Sequence, residues 1–431
     1  MTQSQSPQIQ YPYYYHRLPN GMEMIGQHMP SVGSAVFAIQ IDAGLQYEGD
    51  DELGLSQLLD DMLYQGTDNR NARQITNAIE LLGARRISSA GFESARHGAQ
   101  LVHTKLDDAI SLWAEILLHP TFPEKELQQL KPLLLQAIKR RDDEPSRRGG
   151  ELLSTLFFRN SRLARPTLGV LDTVNSLTVE HLKRFYDTYF HANRAVFAIA
   201  GSFDWEHVVA KVTELFGSWS AGADTRYRDT PDPITTMQFE TSPGEQEHLF
   251  LEYPSVTWDD PDYYANALGI EVFGGGMTSR LFSEVREKRG LVYSVAAYPQ
   301  AMRAMGSVII YAGSEPEKAR ETLQVVLQEM QKFGKEGITE DELERAKIQL
   351  KSEYVMQSES AAARLNSILR SWWFERRFIP MSEVKTAIQS VTTDQVRNVL
   401  KRFPPWERVA LAGVGPTNPD EITKDLFPPI Y

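Results

Sequence analysis

The stretch Gly54–Thr67, GLSQLLDDMLYQGT, decides how the first half of this chain is read. It reads as a helix entered through a glycine, and it carries Gln57, Asp60 and Asp61 without a single histidine. Gln57 and Asp61 are four residues apart, so they share a helix face and could chelate a hard cation. Two oxygens with no third partner make a weak site, and a side-chain hydrogen bond in a solvated cleft is the simpler reading.

Outward from that helix, the chain of 431 residues is too long for one ordinary core, so two or more domains are expected. Hydrophobic residues at 42% and aromatics at 10% are ample for burial. A formal net charge of −12 argues against a nucleic-acid or anionic-membrane surface, because both need clustered Lys and Arg. The absence of cysteine removes disulfides, thiolate zinc sites and a cysteine nucleophile together. The opening MTQSQSPQIQYPYYYH has neither a basic segment leading into an apolar run nor an Arg-rich amphipathic pattern. No window reaches the roughly 18 apolar residues of a membrane span. A soluble, cytoplasmic protein is expected.

Composition shifts at GSWSAGADTRYRDTPDP, where Gly, Ser, Asp and Pro crowd together without an apolar period. The reading is a linker over 217–234, separating an N-terminal domain, 1–216, from a C-terminal domain, 235–431. The same elements recur on both sides. VNSLTVEHLKRFYDTYFHANRAVFAIAG at Val174–Gly201 is similar to IQSVTTDQVRNVLKRFPPWERVALAG at Ile388–Gly413. Each sets Ser-x-Thr before a helical period, as a helix cap would, and each ends in a β-rich run closing on Ala-Gly. FPEKELQQLK at Phe122–Lys131 likewise matches ITEDELERAK at Ile338–Lys347. Val36–Ala43 and His248–Tyr253 read as the opening strands, and Ala109–Leu118, Gln128–Arg141 and Glu317–Phe333 as helices. The predicted class is α+β: two homologous halves, each a mostly antiparallel sheet with helices packed on one face.

With LPNG at Leu18–Gly21, Ala43–Gly44 closing a strand, and then GLSQLLDDMLYQGT, the first half resembles the pitrilysin and mitochondrial processing peptidase family of inverzincins. The resemblance extends over nearly the whole chain. Such enzymes use H-x-x-E-H on a helix, where two histidines one turn apart hold Zn²⁺ and the glutamate polarises its bound water. Laying that frame on this helix by its flanks puts Gln57, Asp60 and Asp61 on those positions. The third ligand, a glutamate on a later helix, falls in LLLQAIKRRDDEP at Ala137. All four positions have departed, so no metal is expected in this chain.

No other constellation replaces the lost one. Among the nine histidines no two stand at helical spacing. His97 follows Glu93 by four residues, but Gly91–Val102 looks like strand, where four residues span about 13 Å. There is no G-x-S-x-G elbow, and GGGMTSR at Gly274–Arg280 lacks the Gly-Lys-Ser/Thr end of a phosphate loop.

The second half holds the most specific segment, FGGGMTSRLFSEVREKRGLVYSV at Phe273–Val295, which closely resembles the family's C-terminal signature. The signature's arginine and tyrosine, seven residues apart, fall on Arg286 and Tyr293. The resemblance implies that this pair reaches substrate bound at the zinc of another domain or subunit, with the phenol donating to the oxyanion and the guanidinium holding a carbonyl. Arg289 is the decoy, four residues from Tyr293. The family also adds substrate as a strand on a sheet edge, which corresponds here to Ala84–Phe92, ARRISSAGF.

A chain without the zinc residues that keeps Arg286 and Tyr293 resembles the non-catalytic member of a two-subunit zinc endopeptidase. The implied partner is a homologous chain with H-x-x-E-H that brings the zinc, and the implied substrate is a peptide. The alternatives are an assembly protein that keeps the fold for contacts alone, and an autonomous hydrolase built on Asp60 and Asp61.

Overall fold

The run SAVFAIQI forms strand β3, Ser34–Ile41, in which every residue after Ser34 is buried. A strand apolar on both faces needs cover on both. The computed structural model describes residues 11–223, 227, 231–357 and 359–426. The first ten residues of the opening segment, and 224–226 and 228–230 of the linker stretch, lie outside the described residues.

β3 sits in a six-stranded sheet with β1 (Tyr13–Arg17), β2 (Glu23–His28), β4 (Arg85–Ala90), β5 (Ala95–Val102) and β6 (Ala195–Gly201), in the order β1-β2-β6-β3-β5-β4. A five-stranded sheet contains β7 (Thr236–Thr241), β8 (Glu247–Ser255), β9 (Val292–Ala301), β10 (Gly306–Ser314) and β11 (Ala410–Gly415), in the order β7-β11-β8-β10-β9. Only β2 with β6 and β7 with β11 run parallel; the other neighbours are antiparallel. The two orders superimpose from β2 and β7 onward, which is the duplication at the level of topology. The α+β class and its two homologous halves are therefore what the chain adopts.

The repeated Ser-x-Thr segments cap equivalent helices. Thr392 accepts from the Gln395 N–H while the Gln395 side chain accepts from the Thr392 N–H. At Thr178 the backbone N–H donates to His181 Nδ1 at 3.0 Å. Reciprocal bonds of this kind satisfy donors that a helix start leaves orphaned. Each capped helix then leads to the strand, β6 or β11, that enters the middle of its sheet.

On one face of the first sheet, Phe37 stacks on Phe197 at 5.8 Å and meets Trp113 edge-on at 5.7 Å. Trp113 belongs to a helix, Leu106–Leu118. To this face the structure adds cover on the other, where Val36, Ala38, Val196 and Ala198 pack with Leu365, Ile368, Leu369 and Trp372 of the helix Ala361–Glu375. In the second sheet, Leu249, Leu251 and Tyr253 share a core with Val326, Met330 and Phe333 of the helix Ala319–Glu336. Its opposite face carries Phe250, against which the helix Pro145–Phe157 is packed. Gly149 makes that approach possible: a Cβ there would lie 2.4 Å from the Phe250 ring.

The compact units are accordingly discontinuous in sequence. One comprises Met1–Gln136, Thr167–Tyr227 and Met356–Phe378; the other Ala137–Pro166, Arg228–Val355 and Ile379–Tyr431. The chain passes from the first unit to the second at 227/228, inside the composition shift read as a linker. Each half also lends one helical segment to the unit built on the other half's sheet. None of the helices among the described residues is long and apolar enough to cross a membrane.

Candidate functional site

The helix that would bear the zinc frame spans Leu55–Met62 and is labelled α1. Gly54 caps it with φ of +93°, a conformation only glycine adopts readily, and a Cβ there would lie 2.8 Å from the Leu168 carbonyl oxygen. Leu55, Leu58, Leu59 and Met62 are buried at helical spacing, which fixes the azimuth of the three polar positions. Asp60 points inward and is 5% exposed, whereas Gln57 and Asp61 are partly exposed. The Gln57 side chain makes no hydrogen bond among the described residues.

Asp60 sits in a polar cluster under α1 that the spacing argument missed. The Ser88 hydroxyl on β4 lies 2.8 and 3.0 Å from its two carboxyl oxygens. His97 on β5 faces Ser88 directly across the strand pair, and its Nδ1 is 3.6 Å from Asp60 Oδ1. The same Nδ1 is 3.4 Å from Ser88 Oγ and 3.3 Å from the Tyr64 hydroxyl. The Arg86 guanidinium stands 4.5 Å over the Tyr64 ring. Burial pushes the Asp60 carboxyl up to about 7, against the opposing pull of the Ser88 hydroxyl, and burial with the Arg86 charge lowers the His97 imidazole to about 3. Burial also raises Asp61 and Tyr64. His97 is thus a neutral imidazole.

A serine, a histidine and an aspartate in contact suggest a nucleophilic triad, and the geometry rules one out. A triad needs the serine on one ring nitrogen and the carboxylate on the other. Here both converge on Nδ1, while Nε2 is buried with no hydrogen-bond partner among the described residues. Ser88 spends its proton on Asp60, so nothing activates its oxygen. The cluster is a buried hydrogen-bonded plug beneath the helix. Its signal in the sequence is the alternation of β5, where the side chains of Ala95, His97, Ala99 and Leu101 are buried on one face.

Ala137 lies within the helix Glu124–Asp143, in the second compact unit, and offers only a methyl group. Among the described residues no three His, Asp or Glu side chains are grouped to hold a metal ion. A catalytic zinc takes three protein ligands of imidazole or carboxylate type. The donor set Gln57, Asp60, Asp61 and Ala137 does not fit one, with Asp60 turned to Ser88.

In the second unit, Arg286 stands on a widened helical turn, Phe282–Glu287, in which the Lys288 N–H reaches back five residues to Ser283. Wide turns of this type recur at functional sites. Arg286 is exposed, rests 5.0 Å over the Phe282 ring, and makes no ion pair among the described residues. Arg289, by contrast, is committed to Glu284, donating to its carboxylate at 2.8 Å and its carbonyl at 2.7 Å.

Tyr293 is the second residue of β9, the edge strand. The ladder pairs Gly313 with Ser294 and then Ser314 with Val292, so Tyr293 is the extra residue of a β-bulge. A bulge breaks the alternation and re-aims a side chain. Tyr293 and Ser294 are both exposed, and Tyr293, at 55%, holds its ring out into solvent. Its hydroxyl donates to Glu315 Oε1 at 3.1 Å, which raises the phenol above its ordinary value.

Two homologous α+β halves, one whose first helix carries Gln57, Asp60 and Asp61 and one with an exposed Arg and Tyr, define a metallopeptidase-like protein. The family model described as insulinase, peptidase family M16, matches residues 23–170, and that of the peptidase M16 inactive domain matches residues 176–350. An uncharacterized zinc protease of Streptomyces coelicolor is 30% identical over 417 residues, covering 94% of this chain and 90% of the relative. The chain belongs to peptidase family M16, the pitrilysin family. Among solved structures, a peptidase M16 inactive domain from Pseudomonas fluorescens superimposes with a TM-score of 0.87 at 24% identity, covering 94% of this chain and 98% of its own. A protease from Helicobacter pylori also reaches 0.87, at 16% identity over 94% of this chain and 99% of its own. At those identities the likeness shows the fold.

Proposed function

We propose that this chain is the non-catalytic subunit of a heterodimeric zinc endopeptidase, and that Arg286 and Tyr293 complete the active site of a homologous partner bearing H-x-x-E-H. The observation that carries the reading is an asymmetry between the halves. The metal positions are occupied by Gln57, Asp61, Ala137 and an Asp60 locked to Ser88. Arg286 is exposed without an ion pair, and a bulge presents Tyr293. The partner's H-x-x-E-H helix would hold a zinc ion, which would supply the polarisation of water. Arg286 holds a carbonyl of the bound peptide through its planar fork, and the Tyr293 hydroxyl donates to the oxygen that gains charge as water adds.

The test is substitution in the assembled pair. Tyr293→Phe lowers kcat on the order of 10²-fold with little change in KM, because a donor aimed at the oxyanion acts in the transition state. Arg286→Ala damages both parameters, and Arg289→Ala, which loses its two bonds to Glu284, is milder. Full activity of Tyr293→Phe with assembly intact would leave the assembly-only alternative in front.

A further inference from the structure

The hydrogen bond asked of the Tyr293 hydroxyl under the proposed function is already directed to another acceptor. Its hydroxyl has one hydrogen to donate, and that hydrogen is directed to Glu315 Oε1 at 3.1 Å. Glu315 immediately follows β10, where the bulge at Gly313 and Ser314 brings the strand end beside Tyr293. Its other oxygen, Oε2, is held at 2.8 Å by Lys318 Nζ, and Lys318 in turn donates to the Gly290 carbonyl at 3.3 Å. Gly290 is the turn, with φ of +61°, that joins the Arg286 helix to β9. The carboxylate is therefore tied at both ends to the segment carrying the Arg and Tyr pair.

We infer that Glu315 is a positioning residue that parks the Tyr293 hydroxyl and must release it before that hydroxyl can donate to the oxyanion of a substrate. The inference rests on the reading given under the proposed function. The exchange is of acceptors only: the phenolic proton stays on Oη and turns from Glu315 to the substrate oxygen. Two effects work in the same direction. A carboxylate competes for the single donor, and its negative charge stands beside the place where negative charge develops in the transition state. Lys318 offsets part of the second effect and keeps Glu315 ionised, its hydrogen bond being the first cause that holds the Glu315 carboxyl below the usual carboxylate pKa. All three side chains are partly or largely exposed, so the clasp is light and reversible.

The experiment is a double-mutant cycle in the assembled pair, using Glu315→Ala, Tyr293→Phe and the combination. Glu315→Ala raises kcat by about 3- to 10-fold with KM nearly unchanged, the range expected for freeing one hydrogen-bond donor. In the Tyr293→Phe background the same substitution has no effect, since no hydroxyl remains to be released. A merely structural role for Glu315 would give a loss, and the loss would persist without the hydroxyl. If Tyr293→Phe cuts turnover while Glu315→Ala leaves kcat unchanged or lowers it, the inference is overturned and the proposed function stands. If Tyr293→Phe is fully active, the proposed function itself fails and takes the inference with it.

Discussion

Replacing Asp60 with asparagine removes a carboxyl group whose ionisation burial opposes, and it keeps an oxygen to accept from Ser88. The folded protein holds the Asp60 proton up to about pH 7, while an unfolded chain releases it near 3.8. Between those values the folded state binds more protons than the unfolded one, so this group's contribution to stability falls as pH rises and levels off above 7. About three units at ~1.4 kcal/mol each sets an upper bound of ~4 kcal/mol. His97 works in the opposite sense: its folded value near 3 lies below the ordinary 6.5, so stability is lost as pH falls through that window. In the parent the two slopes largely cancel between pH 4 and 6.5. In Asp60→Asn only the histidine slope remains. The stability difference, variant minus parent, therefore grows by ~3 kcal/mol between pH 4.5 and 7.5. Urea unfolding at both values, with hydrogen exchange of peptides covering β4 and β5 as a local probe, measures it. Whatever constant offset the substitution introduces drops out of the comparison. An offset equal at the two pH values would refute the buried, proton-retaining cluster.

Gly149→Ala tests the helix lent to the second sheet. Alanine normally favours a helix over glycine by ~1 kcal/mol, but here its Cβ meets the Phe250 ring, so the variant loses about 1–3 kcal/mol in thermal or urea unfolding. Gly150→Ala, whose Cβ would lie 4.0 Å from the same ring in ordinary van der Waals contact, gains stability in the same assay. Metal analysis after dialysis against Zn²⁺ returns far less than one zinc per chain, and a tightly held stoichiometric ion would contradict the placement of Gln57, Asp60, Asp61 and Ala137.

Much of the fold was legible because the chain states it twice. Thr178 and Thr392 announce equivalent helices, and the Ala-Gly endings mark β6 and β11. What local pattern could not convey is which sheet a helix covers: Pro145–Phe157 and Ala361–Glu375 read as amphipathic segments whichever core they join. A fully buried run such as AVFAIQI does imply cover on both faces, without naming its source. The acid near His97 in sequence, Glu93, lies too far along the strand to join it. Its actual neighbour is Asp60, on a helix 37 positions earlier, a contact created by tertiary packing. A signature in the sequence singles out Arg286 and Tyr293, but the bulge that turns Tyr293 outward and the carboxylate that receives its hydroxyl depend on the register of β9 with β10.

The most direct test of the central claim is peptide cleavage by this chain alone, by a homologous chain carrying H-x-x-E-H alone, and by the two mixed. The account predicts no cleavage by this chain, strong chelator-sensitive cleavage by the mixture, and loss of that gain when Tyr293→Phe replaces the parent. Chelator-resistant cleavage by this chain alone, or a mixture no more active than its zinc-bearing member, would contradict it.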